Sequence, residues 1–200
     1  MADEGSQDVF LEILKERLAN SSITFPEEAP NGKMAAVLVP LLIKDGEWNL
    51  LFTRRADQLV DHKGEVSFPG GAVEQADHDF VETALRETHE EIGVMADKIA
   101  ILGALHAFHT NSNYFLKPVV GVLSWPLDLN HNPSEVARTF CIPLKWLADQ
   151  NNWENKPWKR QNGDIVSVIQ YNLYDGEMLW GISARITQEL LQQIYKMPEK

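Results

Sequence analysis

The densest chemistry in the chain lies in RETHEEIGV, residues 86–94, where Arg86, Glu87, Glu90 and Glu91 fall within six positions. On a helix of about 3.6 residues per turn, Glu87, Glu90 and Glu91 are i+3 and i+4 neighbours, and their carboxylates converge on one side. Like charges at that spacing repel and weaken the helix. Arg86 offsets part of this by pairing with a carboxylate, and Glu82, four residues earlier, is a further partner for Arg86. The remaining carboxylates are a cluster of hard oxygen donors suited to Mg2+ or Mn2+. A solvated charged face is the plainer reading of such a run. What favours the metal reading is Pro69, Gly70 and Gly71 upstream, a turn that lets backbone carbonyls approach a bound ion.

Composition sets the frame for that chemistry. The 200 residues suit one domain with an appended element, and 44% apolar content supports a core. A formal net charge of −11 argues against nucleic acid as a partner but leaves room for a small polyphosphate, bridged to the acidic protein by a divalent cation. No apolar run reaches the ~20 residues that span a bilayer, so no membrane partner is expected. The acidic start MADEGSQDVF lacks a signal-peptide pattern, and the final MPEK is not a Ser-Lys-Leu type of address. Cys141 is the single cysteine, set between apolar neighbours in TFCIPL, so it reads as a buried, inert thiol. Together these features predict a cytoplasmic protein.

The elements that must hold the acidic helix can be read around it. Residues 7–19 place Phe10, Leu11, Leu14 and Leu18 at helical spacing, and the turn-rich residues 20–33 read as a linker. This divides the chain into an N-terminal helix and linker, 1–33, and a main domain, 34–200. The continuously apolar 34–43 predicts a central strand, paired through the KDGE turn with 48–55. The acidic helix spans 79–92, with Asp77 or Asp79 as N-cap, Phe80, Ala84, Leu85 and Thr88 on its inner face, and Gly93 as stop. Strands are expected at 98–108 and 114–125, a short helix at 142–150, a hairpin of 165–174 with EMLWG around Asp175 and Gly176, and a closing helix at 182–196. Such mixing without strict alternation predicts a mixed sheet covered by helices.

Gly71 followed by Arg86-Glu87-x-x-Glu90-Glu91-x-Gly93-Val94 resembles the signature of Nudix hydrolases. The family pattern is Gly, five residues, Glu, seven residues, then Arg-Glu-apolar-x-Glu-Glu-x-Gly-apolar. Here the interval from Gly71 to Arg86 is one residue longer, Thr88 takes an apolar position, and Asp77 or Asp79 is the nearest acid to the missing early Glu. Upstream, LFTRRADQLVDHKGEVSFPGG, residues 51–71, resembles a second motif of the coenzyme A diphosphatase branch. Thr53, Arg55, Leu59, His62, Gly64, Val66, Phe68, Pro69, Gly70 and Gly71 match it, while Ala56 and Glu74 replace a Ser and an Asp. NSNYFLKPVVGVL and WGISARI are weaker echoes, so the resemblance covers most of residues 34–195.

The resemblance implies an α/β Nudix fold, an α/β/α sandwich with a mixed sheet. It implies metal binding by Glu87, Glu91, Glu90 and the Gly71 carbonyl, with Mg2+ or Mn2+ as cofactor. Arg86 would orient a glutamate. Glu90 is taken as the catalytic base, with a loop outside the motif as the other source. Arg55, His62, Lys63 and Tyr114 are the substrate-binding candidates; Arg54 reads as a surface ion pair. His106, His109, Asn111 and Asn113 are polar loop residues or proton-transfer groups, and Trp153 and Trp158 either pack or stack a base. The implied reaction is hydrolysis of the diphosphate of coenzyme A or acyl-CoA to 3′,5′-ADP and (acyl-)4′-phosphopantetheine. The rivals are another Nudix substrate (ADP-ribose, NADH or a nucleoside triphosphate) and a non-catalytic nucleotide-binding module. A homodimer is left open.

Overall fold

The computed structural model describes residues 4–27, 32–59, 62–160 and 163–195. The C-terminal MPEK and part of the expected linker, 28–31, lie outside them. After α1 (Glu4–Leu18), the chain forms β1 (Lys33–Lys44) and β2 (Glu47–Arg55). Asp45 and Gly46 join them at φ 53 and 77, the left-handed values a two-residue mirror turn demands. The hairpin stays closed only from Leu41↔Leu50 to Lys44↔Glu47. Beyond that the strands part like a fork, and residues 66–72 fill it. β3 (Val66–Ser67) pairs with β2 through Thr53↔Ser67, and β4 (Gly70–Ala72) pairs with β1 through Ala36↔Gly71. At Gly70, φ is 155, and an added Cβ would lie 2.3 Å from the Ala36 carbonyl oxygen. Only glycine fits there.

α2 (Phe80–Ile92) begins at Asp79, whose side chain accepts the Glu82 N–H, and stops at Gly93 with φ 74. β5 (Ile99–Ala104) and β6 (Phe108–His109) lie antiparallel to β7 (Tyr114–Leu123), which runs parallel to β1. β8 (Val136–Pro143) takes the other edge of β2. The sheet is therefore mixed, with β1 and β7 at its centre. α3 (Leu144–Ala148), a ribbon of β9 (Trp153–Lys159) and β10 (Ile165–Tyr171), and α4 (Gly181–Tyr195) complete the fold.

Helices cover both faces. Phe80, Ala84 and Ile92 of α2 bury against Ala36, Leu38 and Val119. On the opposite face Leu14 and Leu18 of α1, Leu147 of α3, and Ile186, Leu190 and Leu191 of α4 fill the second core. Each leucine, isoleucine or phenylalanine among them contributes about 1.5–3 kcal/mol by leaving water. Between α1 and β1 the chain crosses the sheet edge. The Ser21 hydroxyl donates to the Leu105 carbonyl at 2.8 Å, Lys117 Nζ donates to Ser21 Oγ at 2.7 Å, and Phe80 N–H donates to Ile23 O at 3.1 Å. The arm thus links α1 on one face to the start of α2 on the other. No helix among the described residues is long and apolar enough to cross a membrane.

Several sequence expectations need correction. β8 and β9 were not expected as strands. β10 pairs along its length with β9, while the expected hairpin with EMLWG forms only as the bridges Gln170↔Trp180 and Tyr174↔Glu177 around Asp175 and Gly176. The helix expected at 142–150 is confined to α3, because Ile142 and Pro143 finish β8.

Candidate active site

The fork and α2 meet at Gly71. A Cβ on Gly71 would lie 2.4 Å from the Glu87 carboxyl carbon, so the missing side chain is what lets the carboxylate sit against the β4 backbone. Leu38 N–H donates to Pro69 O, and Val73 N–H to Met34 O, on either side of the Ala36↔Gly71 pair. The alternation of an antiparallel ladder makes that pair a hydrogen-bonded one, leaving the Gly71 carbonyl one lone pair for another ligand.

Arg86 is the hub of the N-terminal part of the site. Its Nε and Nη2 each reach a different Asp77 oxygen at 3.1 Å, and Nη2 also donates to Ala72 O at 2.9 Å. Its Nη1 donates to Glu87 Oε1 at 2.9 Å and Glu90 Oε2 at 3.3 Å. Burial works to raise the Asp77 carboxyl, but the Arg86 fork, the Glu74 N–H and the Thr83 hydroxyl outweigh it and hold it below the usual range. The same carboxylates push the Arg86 guanidinium upward. The two candidate acids have therefore divided the work: Asp79 caps α2 and Asp77 anchors Arg86. The Glu82–Arg86 pair expected from spacing does not form. Glu82 instead accepts the His78 N–H at 2.9 Å and meets its ring Nδ1 at 2.7 Å.

Glu91 is of another kind. It is 4% exposed, and its Oε2 is buried with no hydrogen-bond partner. Burial, reinforced by the Glu87 and Glu135 charges and only partly opposed by Arg55 and the Gly70 N–H, pushes its carboxyl up to about 8. Burial also raises Glu87, against the pull of Arg86. The facing group, Arg55, likewise has a buried Nε without a partner. Arg55 owes its direction to the alternation of β2: Leu51 packs into the core beneath α2 while Leu50 and Phe52 face the opposite core, so Arg55, four residues after Leu51, lies on the α2 side and Arg54 on the other. Arg54 donates to Asp57 at 2.7 Å and lies 3.4 Å from Glu177, the ion pair expected of it.

Glu135 was not foreseen. It precedes β8, its carbonyl accepts the Ala56 N–H at 2.8 Å, and its charge acts on both Glu87 and Glu91. The only sequence signal was a lone acid in the polar loop NHNPSEV, remote from the motif along the chain.

Of the residues singled out from sequence, Gly71, Arg86, Glu87, Glu91 and Arg55 come together. Glu90 joins them at the rim, with its side chain 51% exposed. His62, at φ 55, pairs with Glu65 at 3.0 Å, and Lys63 lies exposed near Asp57. Tyr114 does not reach the cluster: its strand position pairs with Lys33, whose Nζ stands over its ring, whereas Lys117 is level with Ala36 and Gly71. His106 pairs with Glu189 on the α4 side, and His109 packs edge-on to Phe115. Trp153 packs toward Tyr171 in the core, while Trp158 meets Trp180 on the surface. Cys141 is half-buried, and burial pushes its thiol up.

Among the described residues, no three His, Cys, Asp or Glu side chains form a closed metal cage. The donor chemistry nevertheless fits a hard cation. Glu91 Oε2 lacks a partner, Glu87 lies against the Gly71 backbone, and Mg2+ characteristically takes only one or two carboxylates plus water and substrate phosphate.

A NUDIX domain model matches residues 32–162. The chain is 36% identical over 164 residues to a protein of Photorhabdus laumondii named "Uncharacterized Nudix hydrolase NudL", an alignment covering 82% of this chain and 86% of the relative. The NudL protein of Yersinia pestis (strain Pestoides F) is 35% identical over 162 residues, 81% of this chain and 80% of its own. The crystal structure of a Nudix hydrolase from M. smegmatis, RenU, superposes with a TM-score of 0.56 at 18% identity, covering 88% of this chain and 96% of that one.

Proposed function

The chain belongs to the Nudix hydrolase family and is a pyrophosphohydrolase for a nucleoside diphosphate derivative, and on that premise we propose coenzyme A or acyl-CoA as the substrate. The observation that carries this choice is the placement of residues 51–71. The stretch that resembles the coenzyme A diphosphatase motif supplies one prong of the fork, β2 with Arg55 near Glu91, and residues 66–71 that fill it, with Gly71 set against Glu87. The products are 3′,5′-ADP and (acyl-)4′-phosphopantetheine. The proposed location is the cytoplasm, in keeping with a single cysteine.

Nudix hydrolases use divalent metal ions, and we assign Mg2+ or Mn2+ to Glu87, Glu91, Glu90 and the Gly71 carbonyl, with Glu135 added. A bound ion would neutralise diphosphate charge and acidify the attacking water. Arg86 holds Glu87 and Glu90 in place through charge-assisted hydrogen bonds. Arg55 offers its unpaired Nε edge to phosphate oxygens, which a planar guanidinium matches. Glu90, at the solvent rim, accepts the proton from water. His62 and Lys63, on the exposed turn of the same motif, meet the outer part of the substrate; Lys63 suits the 3′-phosphate.

Mass analysis of products after incubation with free coenzyme A and Mn2+, beside ADP-ribose, NADH and a nucleoside triphosphate, is the test. Intact coenzyme A beside cleaved ADP-ribose would overturn the substrate. A non-catalytic module is disfavoured because Glu87, Glu90 and Glu91 are all present.

A further inference from the structure

The last turn of a helix leaves four carbonyls without partners inside the helix. In α2 two of these belong to Glu91 and Ile92, and both are satisfied by one loop. Asn130 N–H donates to Ile92 O at 3.0 Å, and Asn132 N–H donates to Glu91 O at 2.9 Å. Gly93 makes the approach feasible, since a Cβ there would lie 3.0 Å from Asn130 Cβ.

Asn132 uses every polar group it has. Its carbonyl accepts Glu135 N–H at 3.0 Å and Val136 N–H at 2.8 Å. Its side-chain oxygen accepts Ser134 N–H at 3.2 Å and Ser134 Oγ–H at 2.6 Å. Its side-chain nitrogen donates to Glu135 Oε1 at 3.2 Å. One residue therefore grips the backbone of Glu91 with its main chain and the carboxylate of Glu135 with its side chain. Glu135 has a second backbone tie, from Ala56 N–H, immediately after Arg55.

We propose that Asn132 is a positioning residue for the hydrolysis, tying the Glu135 carboxylate to the C-terminal turn of α2 so that it keeps its place beside Glu91. This deepens the assignment of Glu135 to the cation site and rests on it. The amide is suited to the task. It donates to one carboxylate oxygen of Glu135, leaves the other for a cation, and adds no negative charge to an acidic site. Asp in the same place would keep the acceptor that Ser134 uses, lose the donor, and repel Glu135.

Asn132→Asp therefore isolates the donor, and Ser134→Ala removes the hydroxyl half of the turn without touching Glu135. Outer groups that orient metal ligands typically cost about 10–100-fold in metal affinity or activity when lost. Asn132→Asp is expected to weaken Mn2+ binding, measured calorimetrically on the protein without substrate, by about tenfold, and to lower kcat similarly with little change in KM. Ser134→Ala should leave both near wild type. In a Glu135→Gln background, Asn132→Asp should add less than about twofold, because coupled residues are not additive. Circular dichroism melts establish that each variant folds. Wild-type Mn2+ affinity and kcat in Asn132→Asp would overturn the inference, as would an undiminished effect in the Glu135→Gln background. If Glu135→Gln alone changes neither quantity, the Glu135 assignment fails and takes the inference with it. Failure of the substrate reading shows separately, as wild-type protein that binds Mn2+ and leaves coenzyme A intact.

Discussion

Arg54 and Arg55 are neighbours at the end of β2, yet they end in opposite conditions. Arg54 is saturated: Asp57 takes its guanidinium at 2.7 Å and Glu177 stands 3.4 Å from Nε, with Arg138 sharing Glu177 at 3.7 Å. Arg55 faces Glu91, and each keeps a buried polar atom with no partner. Orphaned buried groups are costly, whereas satisfied ion pairs at a surface are nearly neutral. A fold that satisfies one arginine and leaves its neighbour wanting has reserved the second for something that arrives. The same contrast runs along α2, from the fully engaged Asp77–Arg86 anchor to the unsatisfied Glu91.

The strongest way to break this comparison is Glu91→Gln. It keeps the shape and removes the charge, and the expected loss of kcat is on the order of a thousandfold, about 4 kcal/mol of barrier. Circular dichroism should show a folded protein, and retained turnover would end the case for Glu91 as a ligand.

The second concerns pH. The Glu91 carboxyl is raised from 4.5 to about 8 by folding, so between those values the native protein holds a proton that the unfolded chain has lost. Metal-free stability should therefore fall as pH rises from 5 to 8, by at most about 1.4 kcal/mol per pH unit from this group. Mn2+, which binds the ionised form, should flatten the fall. Urea melts across that range measure it; an equal slope in Glu91→Gln would assign the effect elsewhere.

The arginine pair sharpens the contrast with the smallest effects. Arg55→Ala should lower kcat/KM by about 10–100-fold, with Lys a poor substitute, since a point charge does not reproduce the fork. Arg54→Ala should leave kcat/KM near wild type and cost less than about 1 kcal/mol of stability. Equal kinetic losses in the two variants would erase the distinction.

What could be read from sequence was what local chemistry determines. The cap of α2 at Asp79, its stop at Gly93 and the KDGE turn each rest on a few adjacent residues. The fork was hidden because β3 and β4 are too short to show a period, and their partners are fixed only once β1 and β2 part. β9 was obscured by Pro157 and its many charges, and β8 by an irregular burial pattern. Glu135 was illegible because nothing in a single acidic loop residue reveals that folding will set its charge beside Glu87 and Glu91. For His62, the motif match marked a backbone feature as much as a side chain, a left-handed turn paired with Glu65.

The fork also bears on the order of assembly. Ala36 pairs with Gly71 on one side and with Lys117 on the other, contacts of very different separation along the chain. The β1–β2 turn can close within ~1–10 μs, typical of hairpins, while parallel pairing of β1 with the distant β7 must first overcome the entropy of a long loop. The cation site lies at the seam between the quick and the slow pairing. A nascent chain emerging from the ribosome can close the hairpin, wedge in residues 66–72 and lay α2 against Ala36 and Leu38 early, but Val119 of β7 and Glu135 before β8 come later in the chain, so the apparatus for hydrolysis matures late.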